Sequence, residues 1–160
     1  MKTLLIVWHS MTGGSKALAF AASVGAQEVE VSVRHADAVG TDDMLAADGY
    51  LFVFPENLAA ISGVMKAFFD RLYYPCLGQI EGRPYALIVC AGSDGSNAVR
   101  QTERIATGWR LKKIADSMIV CTHAQTPKAI LAPKIIGEPE LDAARDLGAA
   151  LAAGLAIGIY

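Results

Sequence analysis

The residues just after the first apolar run have the chemistry of an anion seat. Leu4 to Ser15 reads LLIVWHSMTGGS: a run suited to burial, then Ser10, Met11, Thr12, Gly13, Gly14 and Ser15. No aspartate or glutamate stands among them to repel an anion. Where such a turn starts a helix, the first backbone N–H groups lack intrahelical acceptors and the helix dipole adds positive potential. Gly13 and Gly14 let the backbone come close to a ligand, and Ser10, Thr12 and Ser15 add hydroxyls. A phosphate can sit there without a cationic side chain, so Lys16 need not touch it. Neither GxGxxG nor GxxxxGK is present, which narrows the choice toward a mononucleotide. The same composition also serves an ordinary helix-capping turn.

Two further turns follow apolar strands. Pro55, Glu56, Asn57, Leu58 and Ala59 follow GYLFVF. Their amides and the Asn57 side chain can hydrogen-bond a planar heteroaromatic ring. Leu58 and Ile61 can supply an apolar surface beneath it, or can be simple core. Glu56 either faces solvent or accepts from a ring N–H. Ala91, Gly92, Ser93, Asp94 and Gly95 follow the run Tyr85–Cys90, with Asp94 or Asn97 able to cap the next helix. Arg100 and Arg104, four apart, suit either a solvated face or the phosphate of a nicotinamide donor. Lys66 and Asp70 read as a surface pair. Tyr73 and Tyr74 border either the pocket or an interface.

Other chemistries find little support. A formal net charge of -2 argues against a nucleic-acid partner. There is no GxSxG elbow for a hydrolase. His9, His35 and His123 are scattered, without carboxylates at metal-binding spacing, so no metal site is expected. No acid–base dyad stands out, and no catalytic side chain is expected. Cys76, Cys90 and Cys121 read as free thiols of a reducing compartment. With no secretory signal and no full-length apolar span, a cytoplasmic location is expected.

The elements that must position the three turns alternate regularly. Apolar runs at Thr3–Trp8, Val29–Val33, Gly49–Phe54, Tyr85–Cys90 and Ser117–Cys121 read as five strands. Helices are predicted over Gly14–Val24, Asp42–Ala47, Ser62–Tyr73 and Asn97–Arg110, and from Glu140 into the Ala-rich tail. Pro55 and Glu56 are predicted to end the third strand, and Pro75 to end the third helix. Residues 122 to 139 read as a proline-bearing connection. The pattern predicts a single α/β domain, residues 1–160: a doubly wound parallel sheet binding its ligand beyond the carboxyl ends of the strands.

At these turns the chain resembles the flavodoxin-like superfamily, nearest its NAD(P)H-dependent FMN reductase and quinone reductase branch. WHSMTGGS, residues 8 to 15, resembles that family's Ser-x-Thr-Gly-Asn-Thr phosphate turn, with Ser10, Thr12 and Gly13 in register. SGVMKAFFDR, residues 62 to 71, is very like the helix after its flavin loop, and residues 91 to 97 resemble the loop at the ring edge. Pro55-Glu56-Asn57-Leu58 replaces the frequent Pro-x-Tyr. The resemblance implies a three-layer sandwich with strand order 2-1-3-4-5. It implies non-covalent FMN, with phosphate at Ser10–Ser15 and ring between Pro55–Ala59 and Ala91–Gly95. It further implies electrons passing from NAD(P)H through the flavin to a quinone or similar small acceptor, in a homodimer or homotetramer. A flavodoxin-type electron carrier and a non-enzymatic binding module are the alternatives.

Overall fold

The computed structural model describes all 160 residues. Strands β1 (Thr3–Trp8), β2 (Glu30–His35), β3 (Gly49–Asn57) and β5 (Pro84–Ala91) run parallel in the order β2-β1-β3-β5. The fifth position is shared by two short pieces, β6 (Lys112–Lys113) and β7 (Met118–Cys121), both parallel to β5. This is the 2-1-3-4-5 order, with its last strand broken in two. A short β4 (Ala60–Ile61) pairs antiparallel with the end of β3.

Helices α1 (Gly14–Gly25) and α6 (Glu138–Ile157) cover one face; α2 (Thr41–Ala46), α3 (Gly63–Cys76) and α4 (Ser96–Gly108) cover the other. The period-two alternation of β3 feeds both faces. Tyr50, Phe52 and Phe54 point into an aromatic layer with Phe68, Phe69 and Trp109. Leu51 and Val53 point into an aliphatic layer with Leu18, Ala22, Leu151 and Leu155. Within the aliphatic layer α1 and α6 meet backbone to backbone. A Cβ on Gly148 would stand 2.0 Å from the Ala22 carbonyl oxygen. In the aromatic layer, Phe52→Ala should cost about 3–5 kcal/mol through the cavity it leaves.

Several boundaries differ from the sequence-based expectation. β3 continues through Pro55 to Asn57 and folds back into β4. Proline is tolerated because Pro55 lies past the last β1–β3 pair, Trp8 with Val53, so β1 loses no donor from it. Pro75 lies inside the last turn of α3 rather than beyond it; there the loss is confined to one helix-end hydrogen bond. α6 starts at Glu138, with Pro139 in the first turn, where an N–H has no intrahelical partner anyway. The connection between β7 and α6 contains a further helix, α5 (Pro127–Leu131), opened by Thr126, whose Oγ1 accepts from the Ala129 N–H. No helix is long and apolar enough to cross a membrane.

Candidate functional site

Because β1, β3 and β5 are parallel neighbours, the turns after them open at the same end of the sheet. The first turn is held by its own short contacts. Ser10 Oγ accepts from the Gly13 N–H at 2.9 Å, and Gly13 takes φ +99° ahead of α1, a conformation that costs an L side chain strain. The first internal bond of α1 runs from the Ala17 N–H to the Gly13 carbonyl. The N–H groups of Gly14, Ser15 and Lys16 are therefore left without acceptors. Ser15 is 1% exposed, and its Oγ has no hydrogen-bond partner. Beside it is the Cys90 thiol, pushed up to about 11, by burial first, with the Lys134 charge pulling the other way. Lys16 turns away, its Nζ 5.7 Å from the Trp8 ring centroid.

The second turn is a two-residue hairpin rather than an open loop. Asn57 pairs with Ala60, and Leu58 and Ala59 between them take φ +50° and +60°. This turn normally calls for Asn-Gly, so the backbone here is strained. Two side chains of α4 brace it: Asn97 Nδ2 donates to the Ala59 carbonyl at 2.6 Å, and Gln101 Oε1 accepts from the Ile61 N–H at 3.0 Å. Leu58 is fully exposed at the tip and rims the groove. Ile61 is buried in the aromatic layer instead. Of the two expected platform residues, only Leu58 reaches the site.

At the third turn Gly95 takes φ +85°, and Asp94 Oδ1 accepts from the Ser96 N–H at 3.2 Å. The N-cap position of α4 is Gly95, so neither expected residue caps the helix: Asp94 closes a turn onto the first amide, and Asn97 braces the hairpin. Hydrogen bonds from Ser96 hold the Asp94 carboxyl below its ordinary value. Glu56 faces it across the groove. Burial first, then the Asp94 charge, raise its pKa above 4.5, and the Gly95 N–H offsets part of this. Tyr73 is not at the site; it stacks on Trp109 at 5.7 Å. His9 Nδ1 shares a 2.8 Å hydrogen bond with buried Ser62 Oγ, behind the first turn. Burial and neighbouring His35 keep His9 below the usual histidine value.

Between the turns lies a groove of about 510 Å³, a size suited to a cofactor. Met11, Glu56, Asn57, Leu58, Gly92 and Ser93 line it. A narrow hollow continues from it to Thr12, Pro55, Cys90 and Ala91. Five further lining residues, Thr122, Ala124, Gln125, Ile130 and Lys134, come from the β7–α6 connection, which crosses the groove as a strap. One end is pinned by the His123 N–H to the Gly92 carbonyl at 2.8 Å, the other by the Lys134 N–H to the Thr12 carbonyl at 2.9 Å. Both are main-chain bonds, which leave no signature in residue type; the only hint was a helix-capping Thr126-Pro127.

Residues 27–125 match the family described as NADPH-dependent FMN reductase. That span holds the second and third turns, and leaves out the first turn and most of the strap. A flavodoxin of Aquifex aeolicus (strain VF5) is 33% identical over 96 residues, 58% of this chain and 50% of that protein. The chain spans about half the length of this curated relative. Among solved structures, a flavodoxin from the domain Archaea superposes with a TM-score of 0.78 at 18% identity, over 96% of this chain and 98% of that one. A flavodoxin, WrbA-like protein from Agrobacterium tumefaciens gives 0.76 at 18% identity, over 96% of each chain. A flavodiiron protein from Giardia intestinalis gives 0.79 at 17% identity, over 99% of this chain and 37% of its own. At these identities the superpositions establish the flavodoxin-like fold. With more than half its length matched by one family, the chain belongs to the family described as NADPH-dependent FMN reductase, and its cofactor is FMN.

Proposed function

We propose that residues 1–160 act as one FMN-dependent oxidoreductase domain, taking electrons from NAD(P)H and passing them to a quinone or similar small acceptor. The observation that carries this reading is the donor set at the start of α1, free amides and an unpartnered buried hydroxyl, beside a groove lined by Met11 and Thr12 of the same turn and by the second and third turns. The buried Ser15 Oγ has no partner in the protein and is satisfied by an anion's oxygen. The free amides of Gly14, Ser15 and Lys16 point to the same anion. These residues fit a phosphate, and with it FMN.

In this reading Ser10 to Ser15 anchor the phosphate. Pro55 to Ala59 and Ala91 to Gly95 flank the ring and exclude water from its faces. Bound FMN supplies the hydride and electron chemistry. The protein's part is placement and electrostatics, so no catalytic side chain is needed. Arg100 and Arg104 border an exposed polar hollow on α4, next to Asn97 and the ring end; they are suited to a phosphate of the nicotinamide donor. We place the protein in the cytoplasm as a homodimer or homotetramer, in keeping with three free cysteines and with exposed Tyr74, Leu131 and Ile135.

A flavodoxin-type carrier is the second reading, favoured by the 33% identity to a protein named flavodoxin. The net charge of -2 offers little acidic surface to steer a protein partner. The test is to reconstitute the purified chain with FMN and follow NADPH absorbance with a soluble benzoquinone present. Sustained oxidation supports the reductase. Flavin that binds but is not turned over by NADPH points to the carrier. A chain that takes up no FMN defeats both and leaves a binding module.

A further inference from the structure

The strap brings one cation to the first turn, from a part of the chain that the family match does not cover. Lys134 donates its backbone N–H to the Thr12 carbonyl, and its Cβ lies 3.5 Å from where a Cβ on Gly14 would be. Its Nζ donates to the carbonyls of Ala129, Ile130 and Ala132 at 2.6–2.8 Å, so the carbonyl end of α5 holds the ammonium in place. Ile136, two residues on, is buried in the aliphatic layer and anchors the strap against α1. Lys16, the cation nearest in sequence, lies over Trp8 and Phe20 instead. The seat itself offers neutral donors only: three amides and the buried, unpartnered Ser15 hydroxyl.

We propose that Lys134 is the counter-cation of the FMN phosphate, and that the strap fastens over the phosphate end of the groove to deliver it. This rests on the reading that the first turn holds the phosphate. Neutral amides stabilise a phosphate dianion only in part; the Lys134 ammonium, its three N–H groups held by strap carbonyls, is near enough to act on Cys90 next to Gly14 and adds a through-space charge that does not depend on the ring. The consequence is selectivity for phosphorylated flavin. Removing the charge should weaken FMN and leave riboflavin alone.

The experiment titrates apoprotein with FMN and, separately, with riboflavin, reading the quenching of flavin fluorescence. Wild type, Lys134→Met and Lys134→Arg are compared from low salt to about 0.3 M. Lys134→Met should lower FMN affinity on the order of tenfold or more, keep riboflavin affinity within about twofold, and flatten the salt dependence of FMN binding. Lys134→Arg, which keeps the charge, should restore most of the affinity. Equal weakening of both flavins by Lys134→Met would mean that the lysine only shapes the strap, and would overturn the proposal. So would unchanged FMN affinity. If wild type itself does not prefer FMN to riboflavin, the phosphate seat fails and the proposal with it. A wild-type preference that survives in Lys134→Met removes Lys134 alone.

Discussion

Helices α1 and α4 start alike. Each follows a buried strand of the same parallel sheet, and each is preceded by a glycine with positive φ, Gly13 at +99° and Gly95 at +85°. Their electrostatics are opposite. At α1 no acid stands in the turn, the first amides are free and a buried hydroxyl lacks a partner. At α4 the Asp94 carboxylate already occupies the Ser96 N–H, and Glu56 adds a second carboxylate nearby. One backbone device therefore leaves the first amides free in one place and sets a carboxylate on the first amide in the other. The deciding residue is the one before the glycine: Thr12 in the first turn, Asp94 in the third. FMN has the matching asymmetry, a dianion at one end and a neutral ring at the other.

The sharpest way to break this comparison is to make the first turn like the third. In Thr12→Asp the new carboxylate would stand two residues before Gly14, as Asp94 stands two before Ser96. It should close a turn onto the Gly14 N–H and repel the phosphate. FMN affinity should fall by about a hundredfold, or roughly 2.7 kcal/mol. The apoprotein should be as stable as wild type or more so, since an acid beside the start of a helix is favourable. Fluorescence titration and a thermal melt of the same sample check both halves. Undiminished FMN binding would place the phosphate elsewhere.

The first turn was legible in the sequence because its chemistry is local: hydroxyls, two glycines and no acid within six residues determine what the amides are left to do. The five-strand alternation was legible for the same reason, since burial on both faces writes continuous apolar runs. The second turn was not. Leu58-Ala59 carries none of the Asn-Gly signal of the hairpin it forms, and what holds it is Asn97 and Gln101, about 40 residues away. The strap was missed because main-chain bonds from His123 and Lys134 pin it. Tyr73 beside Tyr74 did not reveal which of the two packs on Trp109; helical phase decides that, and it leaves Tyr74 exposed.

The second turn differs from the first in a further respect: it holds strain in two residues that are not glycine. Ala59 at φ +60° should gain from glycine, which adopts that conformation freely. Ala59→Gly should stabilise the protein by about 0.5 kcal/mol, the relief of left-handed strain less the extra freedom of the unfolded chain. A urea midpoint measures it. If Ala59→Gly destabilises instead, the brace from Asn97 already compensates for the conformation, and the contrast between a relaxed and a strained end fails.

Asp94→Asn is the converse of Thr12→Asp. It keeps an acceptor for the Ser96 N–H and removes one of the two carboxylates. FMN affinity should stay within about twofold, because the proposed phosphate seat is at the other end. The Glu56 pKa should drop, since the Asp94 charge is one cause of its elevation. A carboxyl NMR titration reads this directly, and an unmoved Glu56 would show that burial alone raises it.

The smallest effect expected is in the pH dependence of stability, where the two ends should pull in opposite directions. His9, behind the first turn, titrates below 6.5 because burial and His35 disfavour its cation. Between that lowered value and 6.5 the unfolded chain binds more protons than the folded one. Stability is therefore intact above 6.5 and is lost as pH falls through the window. Glu56 titrates above 4.5. Between 4.5 and its raised value the folded chain binds more protons, so acidification through that window adds stability. Each contribution is read as a difference from wild type in urea midpoints measured across pH, because Asp48, Asp94 and Glu103, all lowered by hydrogen bonds, add their own acid loss. His9→Gln, which keeps a polar partner for Ser62, should lose the decline just below 6.5. Glu56→Gln should lose the gain nearer 4.5. If Glu56→Gln titrates like wild type, the paired carboxylates do not oppose each other in solution. The asymmetry of the groove would then rest on the first turn alone.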